Sequence, residues 1–309
     1  MKVQIKILLT LVQLFVLAFG QENYEANIVF VVHKAGSASF TSDFNNNSTL
    51  LEACPNTANL TIVVTDPGYD FSTNLINAFH THRGGCVMWM DFSYYKPAGF
   101  PASYGGLFAH YEGINAVLVR KLWQLEQLGY VPADIHMFGF SFGSYQAITA
   151  GFRYGPKKIG RIDACDPSSD TWVANTTPVA FQHANDSAID VQCIHTTAIL
   201  GTTKRFCPKS INMGKCGTQP LEILSFQQSH ELCVIAYISS FTNNFKLVSK
   251  AQIQTTYSKP FFPVTCTNQQ HTPTLPSSPA YTMGYRFDFS LPDGEYYADL
   301  KKDSPYYVV

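Results

Sequence analysis

The stretch IHMFGFSFG, residues 135–143, decides the fold of this chain. Its first six residues, 135–140, form an apolar run that predicts a buried strand, and a helix-like run through Gln146, Ala147 and Ile148 follows. GFSFG therefore stands in a strand–turn–helix setting, which is typical of a nucleophile elbow. Gly139 and Gly143 would let the strand and the helix pack closely around a turn that exposes the Ser141 hydroxyl. A plain turn serine is the alternative.

Short apolar runs and helical patterns alternate along the rest of the chain. The helical pattern begins at Tyr111, recurs at three- and four-residue spacing to Leu125, and stops at Gly129. Alternating strands and helices predict an α/β fold, with a mostly parallel central sheet and helices on both faces. The runs that predict further buried strands are residues 27–32, 60–65, 86–91, 159–164 and 191–195. Residues 40–59 are expected to be a surface excursion, and residues 269–279 a loop or linker.

Residues 1–20 have the features of a secretory signal peptide. Lys2 and Lys6 precede a short apolar run, and Ala18 and Gly20 place small residues before a cleavage point at Gln21. The apolar run is too short to span a bilayer, and no later stretch is expected to be a transmembrane segment. We expect a secreted, extracellular chain whose residues 21–309 form a single domain.

The composition restricts the partners and the cofactors. The net charge is −1 and no basic stripe is present, so nucleic acid is not an expected partner. Eight cysteines in a secreted chain favour disulfides, and Cys207 and Cys216 are expected to pair. No paired CxxC spacing supports a zinc site, and no metal or cofactor is expected. Glycosylation is predicted where Asn lies at the right offset before Ser or Thr, at Asn46, Asn47, Asn59, Asn175 and Asn185.

A serine nucleophile requires a base, and the base requires an acid that orients it. Along an α/β-hydrolase chain the serine comes first, the acid second and the histidine base last. Asp166-Pro167 lies just past the predicted strand 159–164, where parallel sheets place their sites. Asp163 falls inside that strand, and Asp170 is further along the loop. The position after the strand favours Asp166.

Two of the histidines that follow the acid are candidates for the base. His195 ends a predicted strand and could be a packed core histidine. His230 is expected on a loop that leads into a helical run over residues 232–238, from which a base could reach the site. Spacing alone leaves these two histidines close to even.

The chain resembles the animal pancreatic-lipase family, especially its insect members. The resemblance runs from about Ile28 to Pro305 and includes GFSFG, the ACDP motif at residues 164–167, the IHT stretch at residues 194–196 and the Ser229-His230 pair. It implies that Ser141 is the nucleophile, Asp166 the acid and His230 the base. In the family, the histidine of the IHT stretch is not catalytic.

The resemblance also implies an oxyanion hole formed by the backbone N–H groups of Phe142 and Tyr69. Where the family has His-Gly-Phe, this chain has Pro67-Gly68-Tyr69, and proline removes one N–H. Ser144 and Tyr145 replace the usual Ala and His. The lid at residues 217–229 is short, and Gln228 replaces the cysteine of the usual lid disulfide. The C-terminal β-sandwich domain of larger relatives is not expected.

These features predict a carboxylic ester hydrolase that acts on lipids at a lipid–water interface. A short lid favours phospholipase A1-like or general esterase activity over strict triacylglycerol lipolysis. The alternative is a catalytically weak or inactive, lipid-binding, yolk-protein-like member of the same fold, and Pro67 and the altered lid favour it. Nothing specific supports an adhesion or scaffold glycoprotein. The oligomeric state is not predicted.

Overall fold

A computed structural model describes residues 22–65, 72–99, 105–169, 179–214, 222–245, 247–249, 254–256, 265–267 and 282–298. Several predictions fall outside these residues: the signal peptide at 1–20, the oxyanion loop at 67–69, Asp170, Asn175, Cys216, the first part of the lid and the linker at 269–279.

One large sheet forms the centre of the described structure, in the order β2-β1-β4-β3-β5-β6-β7-β8-β12-β9. Neighbouring strands from β4 to β12 pair in parallel, and the pairs β1–β2, β1–β4 and β12–β9 are antiparallel. A separate antiparallel pair is formed by β10 and β11. The strands are β1 (Val29–Lys34), β2 (Phe40–Ser42), β3 (Leu60–Val64), β4 (Cys86–Asp91), β5 (Ile135–Phe140), β6 (Arg161–Cys165), β7 (Asp190–His195), β8 (Lys209–Met213), β9 (Leu247–Ser249), β10 (Gln254–Thr256), β11 (Thr265–Thr267) and β12 (Gly294–Ala298).

Helices cover both faces of this sheet and define two apolar cores. The long amphipathic helix α5 (Tyr111–Gln127) packs with α6 (Phe142–Tyr154) on one face. Helix α3 (Ser72–His82) packs with α7 (Glu222–Ser239) on the other face. The central strands β3 and β5 are buried along their whole length, which explains their continuous apolar runs. The helices are α1 (Tyr24–Asn27), α2 (Asn47–Ala53), α3 (Ser72–His82), α4 (Gly105–Phe108), α5 (Tyr111–Gln127), α6 (Phe142–Tyr154) and α7 (Glu222–Ser239). The predicted α/β-hydrolase architecture is confirmed.

The predicted strands in the middle of the sheet are found within two residues of their expected bounds, whereas the fully buried strand β8 was not predicted. β4 and β5 have the predicted bounds, and β3 ends one residue early. The predicted strand 27–32 is instead Val29–Lys34, because the Asn23 side chain accepts from the N–H of Ala26 and caps the short helix α1 ahead of it. Helix α5 ends before Gly129, whose φ of 88° fits a glycine stop.

Residues 40–59 are not the simple surface excursion that their Asn and Thr content indicated. They contain strand β2, which pairs with β1, and helix α2. Leu50 and Cys54 of this segment are buried in the core. The buried ammonium of Lys121 on α5 donates to the carbonyl oxygens of Ser42 and Asp43 at 3.3 and 3.2 Å, which holds the segment against that helix.

The predicted disulfide between Cys207 and Cys216 is wrong. Cys207 is bonded to Cys193, with a Cα–Cα distance of 5.8 Å. The physical reason is the sheet: Cys193 lies on β7 and Cys207 just before β8, and these strands are hydrogen-bonded neighbours. Sequence proximity in a loop carried no information about this pairing. The other disulfides among the described residues are Cys54–Cys86 and Cys165–Cys233.

None of the helices among the described residues is both long enough and apolar enough to cross a membrane. The same part of the chain contains no group of three or more His, Cys, Asp or Glu side chains that could hold a metal ion.

Candidate active site

The turn between β5 and α6 places Ser141 at the carboxyl edge of the sheet. Ser141 has φ 56° and ψ −120°, a strained conformation for a residue with a side chain and one found at functional sites. The flanking glycines make the turn possible. A Cβ on Gly139 would lie 2.6 Å from the carbonyl oxygen of Gly143, and a Cβ on Gly143 would lie 2.0 Å from that of Val64. The structure therefore has the strand–turn–helix geometry of a nucleophile elbow.

Asp166 follows the last residue of β6 in a left-handed conformation, with φ 41°. Its backbone N–H donates to the carbonyl of Ile194 at 2.7 Å, which fixes the turn against β7. Its Oδ1 accepts from the backbone N–H groups of Thr196 and Thr197 at 2.8 and 3.3 Å. One carboxylate oxygen is thus held by the backbone, and the other is directed at an imidazole.

His230 bridges the serine and the aspartate. Its Nδ1 lies 2.5 Å from Oδ2 of Asp166, and its Nε2 lies 2.8 Å from Oγ of Ser141. All three side chains are buried. The order serine–imidazole–carboxylate, with both contacts at hydrogen-bonding distance, is the arrangement by which a base activates a hydroxyl.

His230 does not lie on a loop, as its sequence context indicated. It lies inside helix α7, which begins at Glu222, eight residues earlier. The imidazole ring packs at a centroid distance of 4.6 Å from the ring of Phe140, the last residue of β5. The base is therefore carried by a helix that packs on the sheet.

A second hydroxyl contacts that of Ser141. Oγ of Ser168 lies 3.1 Å from Oγ of Ser141, and Ser168 follows Asp166 by two residues. The Tyr145 hydroxyl donates to the backbone carbonyl of Ser168 at 2.6 Å, and the Ser144 hydroxyl donates to that of Cys165 at 3.0 Å. Ser144 and Tyr145 thus join helix α6 to the chain on both sides of Asp166.

Sequence reasoning missed Ser168. The only local signal was its position two residues after the acid, and its approach to Ser141 depends on contacts between distant segments. The loop that contains it is joined to the loop after β7, because Ser169 donates from its N–H to the carbonyl of Leu200 and Thr202 donates to that of Pro167, each at 2.6 Å.

Asp163, one of the competing acids, serves a different group of side chains. It is fully buried within β6, where it accepts from Nε of Arg161 at 2.9 Å and from Nε2 of Gln192 at 2.7 Å, and pairs with Nε2 of His136 at 2.8 Å. Burial alone would raise the pKa of Asp163, but the charge of Arg161 and the hydrogen bonds outweigh it and hold that pKa well below its ordinary range. This carboxylate does not contact Ser141 or His230 in any described hydrogen bond.

His195, the competing base, ends strand β7 and is fully buried. Neither ring nitrogen has a hydrogen-bond partner among the described residues. Burial, and secondarily the charge of Arg205, place the pKa of His195 well below its ordinary value. The structure brings His230, and not His195, to the serine.

Phe142, the predicted oxyanion residue, is the first residue of α6, so its N–H has no acceptor within the helix. Its ring is buried among aromatic rings, at centroid distances of 5.8 Å from Phe92 and 4.9 Å from Phe108. The second predicted donor, Tyr69, lies outside the described residues, as does Pro67.

Comparison with known proteins gives matches of limited extent. The family model "Lipase" matches residues 112–207, a range that contains Ser141 and Asp166 but not His230. Pancreatic lipase-related protein 2 of Myocastor coypus is 37% identical over 81 residues, which cover 26% of this chain and 16% of that protein.

Solved structures resemble the chain only distantly. An α/β-hydrolase enzyme from a deep-sea metagenome library aligns with a TM-score of 0.32 and 15% identity, over 45% of this chain and 56% of its own. An α/β serine hydrolase without a lid, from Xanthomonas campestris, aligns with a TM-score of 0.31 and 14% identity, over 67% and 74%.

The sheet order and the elbow define the class of protein, which is the α/β-hydrolase fold. Within that class, the family match and the curated relative support membership of a pancreatic-lipase-like family, as the motifs predicted.

Proposed function

We propose that this chain is a secreted carboxylic ester hydrolase that acts on lipids through Ser141, His230 and Asp166. The observation that carries the proposal is the pair of contacts made by one imidazole, 2.8 Å to Oγ of Ser141 and 2.5 Å to Oδ2 of Asp166. The name of the lipase family and that of the curated relative support the same class of reaction.

The first half of the proposed reaction is acylation. Oγ of Ser141 attacks the ester carbonyl carbon, and its proton passes to Nε2 of His230. Asp166 holds the ring through Nδ1 and stabilises the imidazolium that forms. The tetrahedral intermediate then collapses, the alcohol leaves with the proton from Nε2, and the acyl group stays on Ser141.

The second half returns the enzyme to its starting state. Water attacks the acyl carbon, gives a proton to His230, and the fatty acid leaves as Ser141 regains its hydrogen. The backbone N–H of Phe142 and, by resemblance, that of Tyr69 stabilise the negative oxygen in both halves. Pro67 lies two residues before Tyr69, so the second donor is the part of the site most open to weakening.

The short lid expected at residues 217–229, of which residues 222–229 belong to helix α7, supports a preference for dispersed esters and phospholipids. A long lid covers apolar surface that an oil interface must replace, at about 25 cal/mol per Å². A short lid covers less, so interfacial activation should be weak. More specifically, we propose phospholipase A1-like cleavage of phospholipids. The assay measures the rate of hydrolysis against substrate concentration through the solubility limit of the substrate. A sharp rise at that limit, with a strong preference for triolein, would contradict weak interfacial activation.

Secretion is supported by the disulfides, which persist in oxidising compartments. Asn185 is exposed, which suits a glycan, while Asn59 is exposed but donates from Nδ2 to the carbonyl of Arg83 at 2.9 Å. Asn47, which is also exposed, accepts from Gln124. We propose Asn185 as the best-presented of the described sequons.

The test of the proposed activity compares two serine variants. Ser141→Ala should abolish hydrolysis of p-nitrophenyl esters, phosphatidylcholine and triolein with the melting temperature nearly unchanged. Ser37→Ala, in the exposed turn after β1, is the matched control and should keep full activity. Retained activity in Ser141→Ala would refute the assignment. A folded wild-type protein that hydrolyses none of these esters would favour the lipid-binding alternative.

A further inference from the structure

The Cys165–Cys233 disulfide joins the two elements that carry the acid and the base. Cys165 is the last residue of β6 and directly precedes Asp166. Cys233 lies on α7, three residues after His230, and both cysteines are fully buried. Their Cα atoms are 5.7 Å apart. A covalent bond therefore joins β6 to α7 directly beside the catalytic hydrogen bond between Asp166 and His230.

The buried face of α7 is attached to β6 at three successive positions. His230 meets Asp166, Cys233 is bonded to Cys165, and the Tyr237 hydroxyl donates to Asp163. Residues at spacings of three and seven lie on the same side of a helix, so one face of α7 follows the end of one strand. This arrangement sets both the rotation and the translation of the helix relative to the acid.

The bridge lies three residues, or about one helical turn, after His230. The side chains of Gln227 and Gln228 are exposed, whereas those of Ser229 and His230 are buried. A displacement of the helix by one residue would move His230 by about 1.5 Å along its axis. A shift of about 1 Å in a catalytic group can cost about 100-fold in rate, so a fixed register matters to this site.

We propose that the Cys165–Cys233 bridge is a positioning element that holds the His230 imidazole in register with Ser141 and Asp166. The proposal deepens the proposed ester hydrolase function and rests on it. The bridge takes no part in bond making: its effect is on the fraction of molecules in which the imidazole is aligned. Removal of the bridge should therefore lower kcat and leave KM little changed.

The test compares two double variants that each remove one buried disulfide. Cys165→Ala/Cys233→Ala should lower kcat by about 100-fold, measured well below its melting temperature. Cys54→Ala/Cys86→Ala is the matched control. The disulfide that it removes joins the end of α2 to the start of β4, away from Ser141, so this variant should keep the wild-type kcat. Both variants should melt at lower temperature. Equal kcat in the two variants would overturn the proposal.

A second measurement does not depend on turnover. A proton held between Nδ1 of His230 and Asp166 should give a far-downfield NMR resonance in the wild type, absent from His230→Ala. The resonance should weaken or disappear in Cys165→Ala/Cys233→Ala and persist in the control. If the wild type hydrolyses no ester, the proposed function fails and this signal still decides the positioning role: an unchanged signal overturns it.

A third variant covers failure to fold. Cys165→Ala/Cys233→Val fills more of the space left by the bridge and should show the same loss of kcat. If neither bridge variant folds while the control does, the bridge acts on folding and the positioning role is overturned.

Discussion

Acidification should destabilise the fold through His136, the buried partner of Asp163. His136 is fully buried, and burial lowers its pKa to about 4 despite the opposing effect of Asp163. The unfolded chain binds this proton near pH 6.5. Between these values the unfolded state binds more protons, so stability falls as the pH drops from about 6.5 to about 4. At about 1.4 kcal/mol per tenfold difference in affinity, the loss is on the order of 3 kcal/mol.

Asp163 does not contribute to this pH window. Its pKa lies well below the ordinary value, so the stability it provides is present above about pH 4 and is lost only as the pH falls through its folded pKa. The two partners of this buried pair therefore act at different pH values. The slope between pH 6.5 and 4 reports on every histidine whose pKa burial lowers, which besides His136 includes His195, His33 and His80.

The variant His136→Gln isolates the first histidine, because an amide can donate to Asp163 but does not titrate. Urea unfolding at pH 7, 6, 5 and 4 gives the free energy of unfolding at each pH. The wild type should lose about 3 kcal/mol more than the variant between pH 7 and 4, while the contribution of His195 is the same in both. Parallel curves for the two proteins, or stability that rises on acidification, would refute the reasoning.

Three further substitutions test other parts of the site. Gly143→Ala should lower the free energy of unfolding by more than about 3 kcal/mol, because the added Cβ would lie 2.0 Å from the Val64 carbonyl oxygen. A normal melting temperature would contradict the tight turn. Tyr145→Phe removes the hydrogen bond to the Ser168 carbonyl, so it should cost about 0.5–1.5 kcal/mol of stability and should lower kcat by loosening the loop after Asp166; an unchanged kcat would show that this anchor is dispensable. His195→Ala should lower the melting temperature and leave kcat little changed, and the reverse result would reopen the choice of base.

The sequence predicted the elements that consecutive apolar residues encode, and it missed the buried strand β8, whose residues 209–213 include Lys, Ser and Asn. The strand at 135–140 and the turn after it are encoded by consecutive apolar residues and by glycines that the close packing requires. The position of Asp166 near Ser141 was predicted because parallel strands end at the same edge of the sheet. These inferences needed only the period of the pattern and the position of each residue within it.

The parts that the sequence did not predict depend on contacts between distant segments. Cys193 and Cys207 pair because β7 and β8 are neighbours in the sheet, which no loop spacing indicates. The start of α7 at Glu222 was not predicted, because the resemblance assigns residues 217–229 to a lid, although Pro220 and Glu222 are residue types common at a helix start. The approach of Ser168 to Ser141 joins two loops and is likewise invisible in one sequence.

Covalent labelling of the folded protein with a fluorophosphonate tests the central claim most directly, because the reagent requires an activated serine but no particular lipid. The predicted result is one adduct, located by peptide mapping on Ser141, with labelling lost in His230→Ala and retained in Ser37→Ala. An adduct on another serine, or no adduct on a correctly folded wild-type protein, would contradict the assignment of Ser141 as a nucleophile activated by His230.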